Sequence, residues 1–248
     1  MQNIKMVVAY DGRKYIGFAK KKNNPEKSIQ YKIESILQKL YEEEIEVISS
    51  INTDAGVHAK GQVVNFNVTT NHMSEPELFE YFEKYLPDDI IVLSLSIVDD
   101  RFHSRYNVES LTYEYRLWKC DAPYRPLFER KYVNVQEQKL NVSKMKIAAE
   151  KFVGQHDFMA FTANKKAKNS VKEIFALDVS ETKNEVVISI TADGFLVNME
   201  RIIVGTLVQI GIGQLPVNTV DRAFETSATK FVGHKAMADA LTLVRVNY

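Results

Sequence analysis

Residues 28–41, SIQYKIESILQKLY, and residues 61–68, GQVVNFNV, carry two different hydrophobic periods. In the first, Ile29, Ile33, Ile36, Leu37 and Leu40 recur at helical spacing behind Ser28, whose hydroxyl suits an N-cap. In the second, Val64, Phe66 and Val68 fall on alternate positions, as one face of a strand does. Outward from this pair, Ile4 to Tyr10 is a β-rich run closed by the turn pair Asp11-Gly12, and Glu46 to Ser50 suits a short strand. Ile51 to Gly61 reads as loop. Ser74 caps a second helix carrying Leu78, Tyr81, Phe82 and Tyr85, which stops before Pro87, and Ile90 to Val98 is a further strand. Strands and helices mixed in this order predict an α+β fold around a largely antiparallel sheet.

The remainder repeats the theme without visible sequence identity. Leu111, Tyr113, Tyr115 and Leu117 face one way along a strand and Thr112, Glu114 and Arg116 the other. Ser143 to Val153 is expected helical, Val171 to Val179 and Val186 to Ala192 are expected strands, and Phe195 to Ile210 is expected to form a long apolar helix. The expectation is two similar α+β halves, residues 1–105 and 106–248, flanked by helices.

With 248 residues, 45% of them hydrophobic, the chain has material for a sizeable core. Cys120 is the single cysteine, so neither an internal disulfide nor a cysteine-rich metal site is expected. No stretch approaches the roughly 18 apolar residues of a membrane helix and no cleavage-like leader is visible, so the expected location is cytoplasmic, without a membrane. Lys plus Arg and Asp plus Glu balance at 32 each, which by itself argues against a polyanionic partner. The charges are nonetheless segregated. Lys20, Lys21 and Lys22 form one basic cluster and Lys165, Lys166, Lys168 and Lys172 another, while acids gather at Glu42, Glu43, Glu44 and Glu46 and along the second helix. Such clusters are either solvated loops or a local surface for phosphates.

Three places carry chemistry. Asp54, in Thr53-Asp54-Ala55-Gly56-Val57-His58-Ala59, either makes an Asx-turn or is a carboxylate presented at a loop tip as nucleophile or base. His58 has no second ligand at metal spacing. Arg201 lies on an apolar helix among Val197, Val204, Gly205 and Val208, with no acid one turn away. It therefore either reaches solvent, meets a structural acid, or pairs with a distant carboxylate such as Asp54. Tyr113 is a core aromatic by position, or a ring able to stack on a planar base. Gly-rich phosphate loops, dinucleotide fingerprints and serine elbows are absent from the sequence.

Taken together these motifs resemble the tRNA pseudouridine synthase A family over essentially the whole chain, from Tyr10-Asp11-Gly12 to Leu241. The most specific element is the run 53–59 followed by Gly61-Gln62. Leu86-Pro87, Phe102-His103 with Arg105, Tyr113-x-Tyr115, His156-Asp157-Phe158, Gly194-Phe195-Leu196 and Arg201 to Gly205 follow in order. The resemblance implies isomerisation of uridine to pseudouridine at positions 38 to 40 of the tRNA anticodon stem-loop, by a homodimer that needs no cofactor or metal. It implies Asp54 as nucleophile, Arg201 as its partner and Tyr113 stacked on the extruded uracil. Asn52, Thr53, His58, Phe18 and the two lysine clusters are expected to contact substrate, and Lys20 to Lys22 and Lys165 to Lys168 to border the cleft holding Asp54.

The chain also departs from the family pattern. Ile51-Asn52 stands where Gly-Arg is usual, Gly17-Phe18-Ala19 replaces Gly-Trp-Gln, and Lys172 replaces an arginine. Asn52 cannot supply the long cation that helps turn a base out of its stack. The alternative function is thus a diverged paralogue with weak or no catalysis, acting as a tRNA-binding or RNA-folding module. A small-molecule enzyme using Asp54 and His58 is a third class with no cofactor motif behind it.

Overall fold

The computed structural model describes residues 2–69 and 73–248, and the chain divides into two units, Met1–Glu109 with Thr242–Tyr248, and Ser110–Leu241. In the first, β1 (Gln2–Tyr10) is followed by a 3-10 turn at Gly12–Lys14 and by α1 (Ile29–Tyr41). Ser28 caps α1 by accepting the Tyr31 N–H, as its position foretells, and Ile29, Ile33, Ile36 and Leu37 form the buried stripe. Fully burying each such side chain contributes roughly 1.5–3 kcal/mol. Then come β2 (Ile48–Ser49), β3 (His58–Val68), α2 (Glu75–Tyr85) and β4 (Ile90–Val98). β1 pairs antiparallel with both β3 and β4, and β2 pairs antiparallel with β3. α2 starts from a Ser74/Glu77 capping box and buries Leu78 and Phe82, the latter edge-on to Phe66 of β3.

β3 begins four residues earlier than the alternation at Gln62 indicates, so His58 and Ala59 are strand, not loop. The alternation is incomplete because both faces are covered: Val63 and Asn65 are buried beside Val64 and Phe66. Asn65 is tolerated there because its amide donates to Asn3 Oδ1 at 3.0 Å and its oxygen accepts the Ser104 N–H at 2.9 Å.

The second unit contains β5 (Ser110–Trp118), β6 (Asn134–Val135), α3 (Val142–Glu150), β7 (Gly154–Asp157), β8 (Val171–Glu181), β9 (Glu185–Ala192), α4 (Met199–Gly211) and α5 (Thr219–Thr226). β9 lies between β5 and β8, and β7 pairs with β8, all antiparallel, while β6 runs parallel to β5. Leu111, Tyr113, Tyr115 and Leu117 are buried as the alternation requires. Two helices, α3 and α4, have limits that differ from the sequence reading. α3 ends at Glu150, the next residues closing in tight three-residue turns before Gly154. α4 starts at Met199 rather than Phe195, because Asn198 adopts φ 61°, a left-handed conformation that no helix interior accommodates.

The chain's last strand, β10 (Leu241–Asn247), from Thr242 onward belongs to the first unit, where Thr242 and Leu243 run parallel to His58 and Ala59 of β3. Both units are thus α+β with mostly antiparallel sheet. Among the described residues no helix is long and apolar enough to cross a membrane.

Candidate active site

In the first unit the chain between β2 and β3 is held at both ends, leaving Asp54 at the tip. On the leading side, Ser50 donates its backbone N–H to Val63 O at 2.9 Å, and the buried Gln62 amide donates to Ile51 O at 2.7 Å. Ser50 Oγ donates to Gln62 Oε1, so a single glutamine side chain fixes the approach to the loop. Thr53 is buried, its hydroxyl 2.8 Å from that of Tyr10 at the end of β1. Burial pushes the Tyr10 phenol well above its usual range, keeping it a neutral hydrogen-bonding partner.

Asp54 then opens a β-turn: Val57 N–H donates to Asp54 O at 3.1 Å, and Gly56 at the third position has φ 83°. Gly56 N–H, the group an Asx-turn at Asp54 would use, donates to Tyr15 O at 3.3 Å. A second segment braces the turn from the side. Gly17 forms an isolated antiparallel bridge with Asp54, and Phe18 N–H donates to Thr53 O at 3.1 Å. Gly17 sits at φ 116°, and a Cβ there would come within 2.6 Å of Thr53 O. Only glycine allows both the conformation and the approach.

His58 closes the trailing side. Buried at the start of β3, its Nδ1 accepts the Gly12 N–H at 3.2 Å and lies 3.4 Å from Asp11 Oδ1. A neutral ring accepting at Nδ1 carries its hydrogen on Nε2. Burial pushes the Asp11 carboxyl up, but hydrogen bonds and charge from Arg13 outweigh it and hold the group at about 2.

Of the other expected contacts in this unit, Phe18 is 1% exposed and packs against Tyr10, ring centroids 6.3 Å apart. Lys20 is ion-paired with the buried Glu34 of α1 at 2.5 Å, whereas Lys21 and Lys22 are exposed. Because Phe18 is bonded to Thr53, the lysine run begins two residues from the Asp54 loop. Asn52 is exposed and its Oδ1 accepts from Ser49 Oγ at 3.0 Å.

The second unit holds the remaining residues. Tyr113, 1% exposed, meets Phe195 edge-on at 5.2 Å. Arg201, half-buried on α4, donates through Nε to Ala236 O at 2.9 Å while its own carbonyl accepts the Ala236 N–H at 3.0 Å. Lys165, Lys166 and Lys168 are exposed in one loop, and Lys172 is half-buried on β8, its Nζ 3.5 Å from where a Cβ on Gly194 would lie. The supporting residues Tyr10, Tyr15 and Gln62 have no signature of their own in sequence; Tyr10 and Gln62 are marked only by their place in the runs Tyr10-Asp11-Gly12 and Gly61-Gln62, and Tyr15 lies outside both.

An aspartate held at a loop tip by buried backbone bonds has the preorganisation that nucleophilic or general-base chemistry needs. Comparison with known proteins gives the family. A family profile described as tRNA pseudouridine synthase matches residues 6–107 and 148–248. The tRNA pseudouridine synthase A 2 of Bacillus cereus is 40% identical over 249 residues, 100% of both chains. The tRNA pseudouridine synthase A of a Bacillus species, strain KSM-64, is 42% identical over 215 residues, 86% of each chain. That of Acetivibrio thermocellus is 38% identical over 250 residues, 100% of each. Among solved structures, a chain from a Cbf5-Nop10-Gar1 complex covers 96% of this chain and 57% of its own at TM-score 0.37 and 10% identity, too distant a likeness to bear on mechanism. Full-length identity near 40%, joined to a profile match spanning the Asp54 loop and α4, places this chain in the tRNA pseudouridine synthase A family of isomerases.

Proposed function

We propose that the protein converts uridine to pseudouridine in tRNA, at positions 38 to 40 of the anticodon stem-loop, acting as a cytoplasmic homodimer. The observation that carries this reading is Asp54 at the tip of a turn braced by Gly17, Phe18 and Tyr15. In the reaction the bond between ribose C1′ and uracil N1 breaks, the base rotates, and C1′ bonds to C5. The proton leaves C5 and N1 gains one, so atoms balance without redox chemistry. Asp54 serves as nucleophile, Arg201 as its counter-ion and Tyr113 as the ring against the extruded uracil. The base must leave its stack to be reached.

Incubation with unmodified tRNA, followed by carbodiimide treatment and primer extension, tests the assignment. Stops one nucleotide before positions 38 to 40, absent with Asp54→Ala, are expected; no stop in the anticodon arm would sink it. The second reading, a tRNA-binding module with little turnover, is favoured by Asn52 where a cation is usual. It predicts tRNA binding that Asp54→Ala leaves intact together with no modification by the parent.

A further inference from the structure

Between β4 and β5, residues 103–107 form a turn that builds an exposed cation and an exposed ring beside the Asp54 loop. Its base is Ser104, 0% exposed, whose N–H donates to Asn65 Oδ1 of β3 at 2.9 Å and whose hydroxyl donates to Ile48 O of β2 at 2.7 Å. Asn107 closes it: His103 N–H donates to Asn107 Oδ1 at 2.6 Å, and Asn107 N–H to His103 O at 3.1 Å. The His103 ring organises the top, accepting the N–H groups of both Arg105 and Tyr106 at Nδ1, 3.2 Å each. It also stacks on the Tyr106 ring, centroids 4.1 Å apart and planes 26° from parallel.

Arg105 reaches back to the segment leading to Asp54. Its Nε donates to Ser49 O at 3.2 Å, and Nη2 lies 3.4 Å from Ser49 Oγ and 3.5 Å from Asn52 Oδ1. Among the described residues no carboxylate pairs with it, and three neutral oxygens orient the guanidinium without neutralising it. Tyr106 is 81% exposed. A tyrosine with its back against a histidine and its other face open, next in sequence to an uncompensated guanidinium, is the combination that grips single-stranded nucleic acid: a stacking surface and a phosphate cation.

We propose that the turn 103–107 is an RNA-contact element at the rim of the Asp54 loop, with Arg105 binding a phosphate, Tyr106 stacking on an unpaired base, and Ser49 and Asn52 positioning Arg105. Asn52 thereby tethers a cation supplied by another segment. The proposal rests on the reading that the protein acts on tRNA.

The test is equilibrium binding of unmodified tRNA to the full chain and to Arg105→Gln and Tyr106→Ala, across a salt series, with thermal unfolding alongside. Tyr106→Ala, whose ring is almost wholly exposed, is expected to keep the parent's unfolding temperature and to bind at least about fivefold more weakly. Arg105→Gln is expected to flatten the slope of log affinity against log salt by about 0.7 to 0.9, one phosphate contact, a change a purely structural role would not make. Parental affinity and slope in both variants overturn the proposal. So does a change of oligomeric state in Tyr106→Ala with RNA binding unaltered, which assigns the face to a second copy. A parent that binds no tRNA even at low salt removes the tRNA reading itself, an outcome distinct from either.

Discussion

At the residue scale, Asp54 is presented by neighbours that never need to touch substrate. Gly17 illustrates this: φ 116° and a Cβ position 2.6 Å from Thr53 O leave no room for a side chain. Gly17→Ala is expected to destabilise the fold by about 2 kcal/mol, measured by urea unfolding, and to lower turnover more than tRNA affinity. The buried hydroxyl pair of Tyr10 and Thr53 makes a second prediction. Thr53→Val removes that partner while the phenol keeps its bond with the Gln62 side chain, and should cost about 0.5–1.5 kcal/mol by the same measurement. Asp11 makes a third. Its folded pKa of about 2 lies below the roughly 3.9 of an unfolded aspartate, so its contribution is complete above about pH 4 and is lost as pH falls towards 2. Asp11→Asn should flatten stability against pH in that window and leave the profile above pH 5 unchanged. The loop carrying Asp54 stood out in the sequence through the resemblance of residues 53–59 to a family motif. Tyr10 and Gln62 did not, since their roles arise from hydrogen bonds to residues 43 and 11 positions away, which no local pattern encodes.

At the element scale, the starts of the two serine-capped helices were readable to the residue, whereas α3, capped by Asn141, starts one residue before the expected Ser143. Ser28 and Ser74 set the starts of α1 and α2. The start of α4 was not readable, because Phe195-Leu196-Val197 continues the apolar composition of the helix while the backbone does not turn helical until after Asn198. The early start of β3 was equally hidden: pairing of His58 and Ala59 with Thr242 and Leu243 joins segments some 180 residues apart. α4 is also the element most sensitive to one added methyl. A Cβ on Gly205 would lie 1.6 Å from His234 O, in the loop whose Ala236 exchanges backbone and side-chain bonds with Arg201. Gly205→Ala is expected to lower stability by about 3 kcal/mol and, by displacing that loop, to free Arg201 from Ala236. Urea unfolding checks the first, and loss of turnover in whatever fraction stays folded checks the second.

At the scale of the whole molecule, equal totals of acid and base conceal where each is used. Several acids are consumed in local bonds: Glu77 caps Ser74, Glu75 accepts the Ile97 N–H on β4, Glu43 accepts from Thr69, and Glu34 takes Lys20. Lys21, Lys22, Lys165, Lys166 and Lys168 stay exposed. A neutral sum is therefore compatible with a polyanionic substrate, because RNA senses the bases a surface presents and not the total. The central claim is that Asp54 drives uridine isomerisation in tRNA. Forming the bond between C1′ and C5 expels the hydrogen from C5, so tRNA tritiated at uracil C5 reports the reaction directly. Single-turnover release of tritium by the parent, abolished in Asp54→Asn while tRNA affinity holds within about threefold, is the predicted result. Equal release by parent and variant, or none by a parent that binds tRNA, would contradict the account.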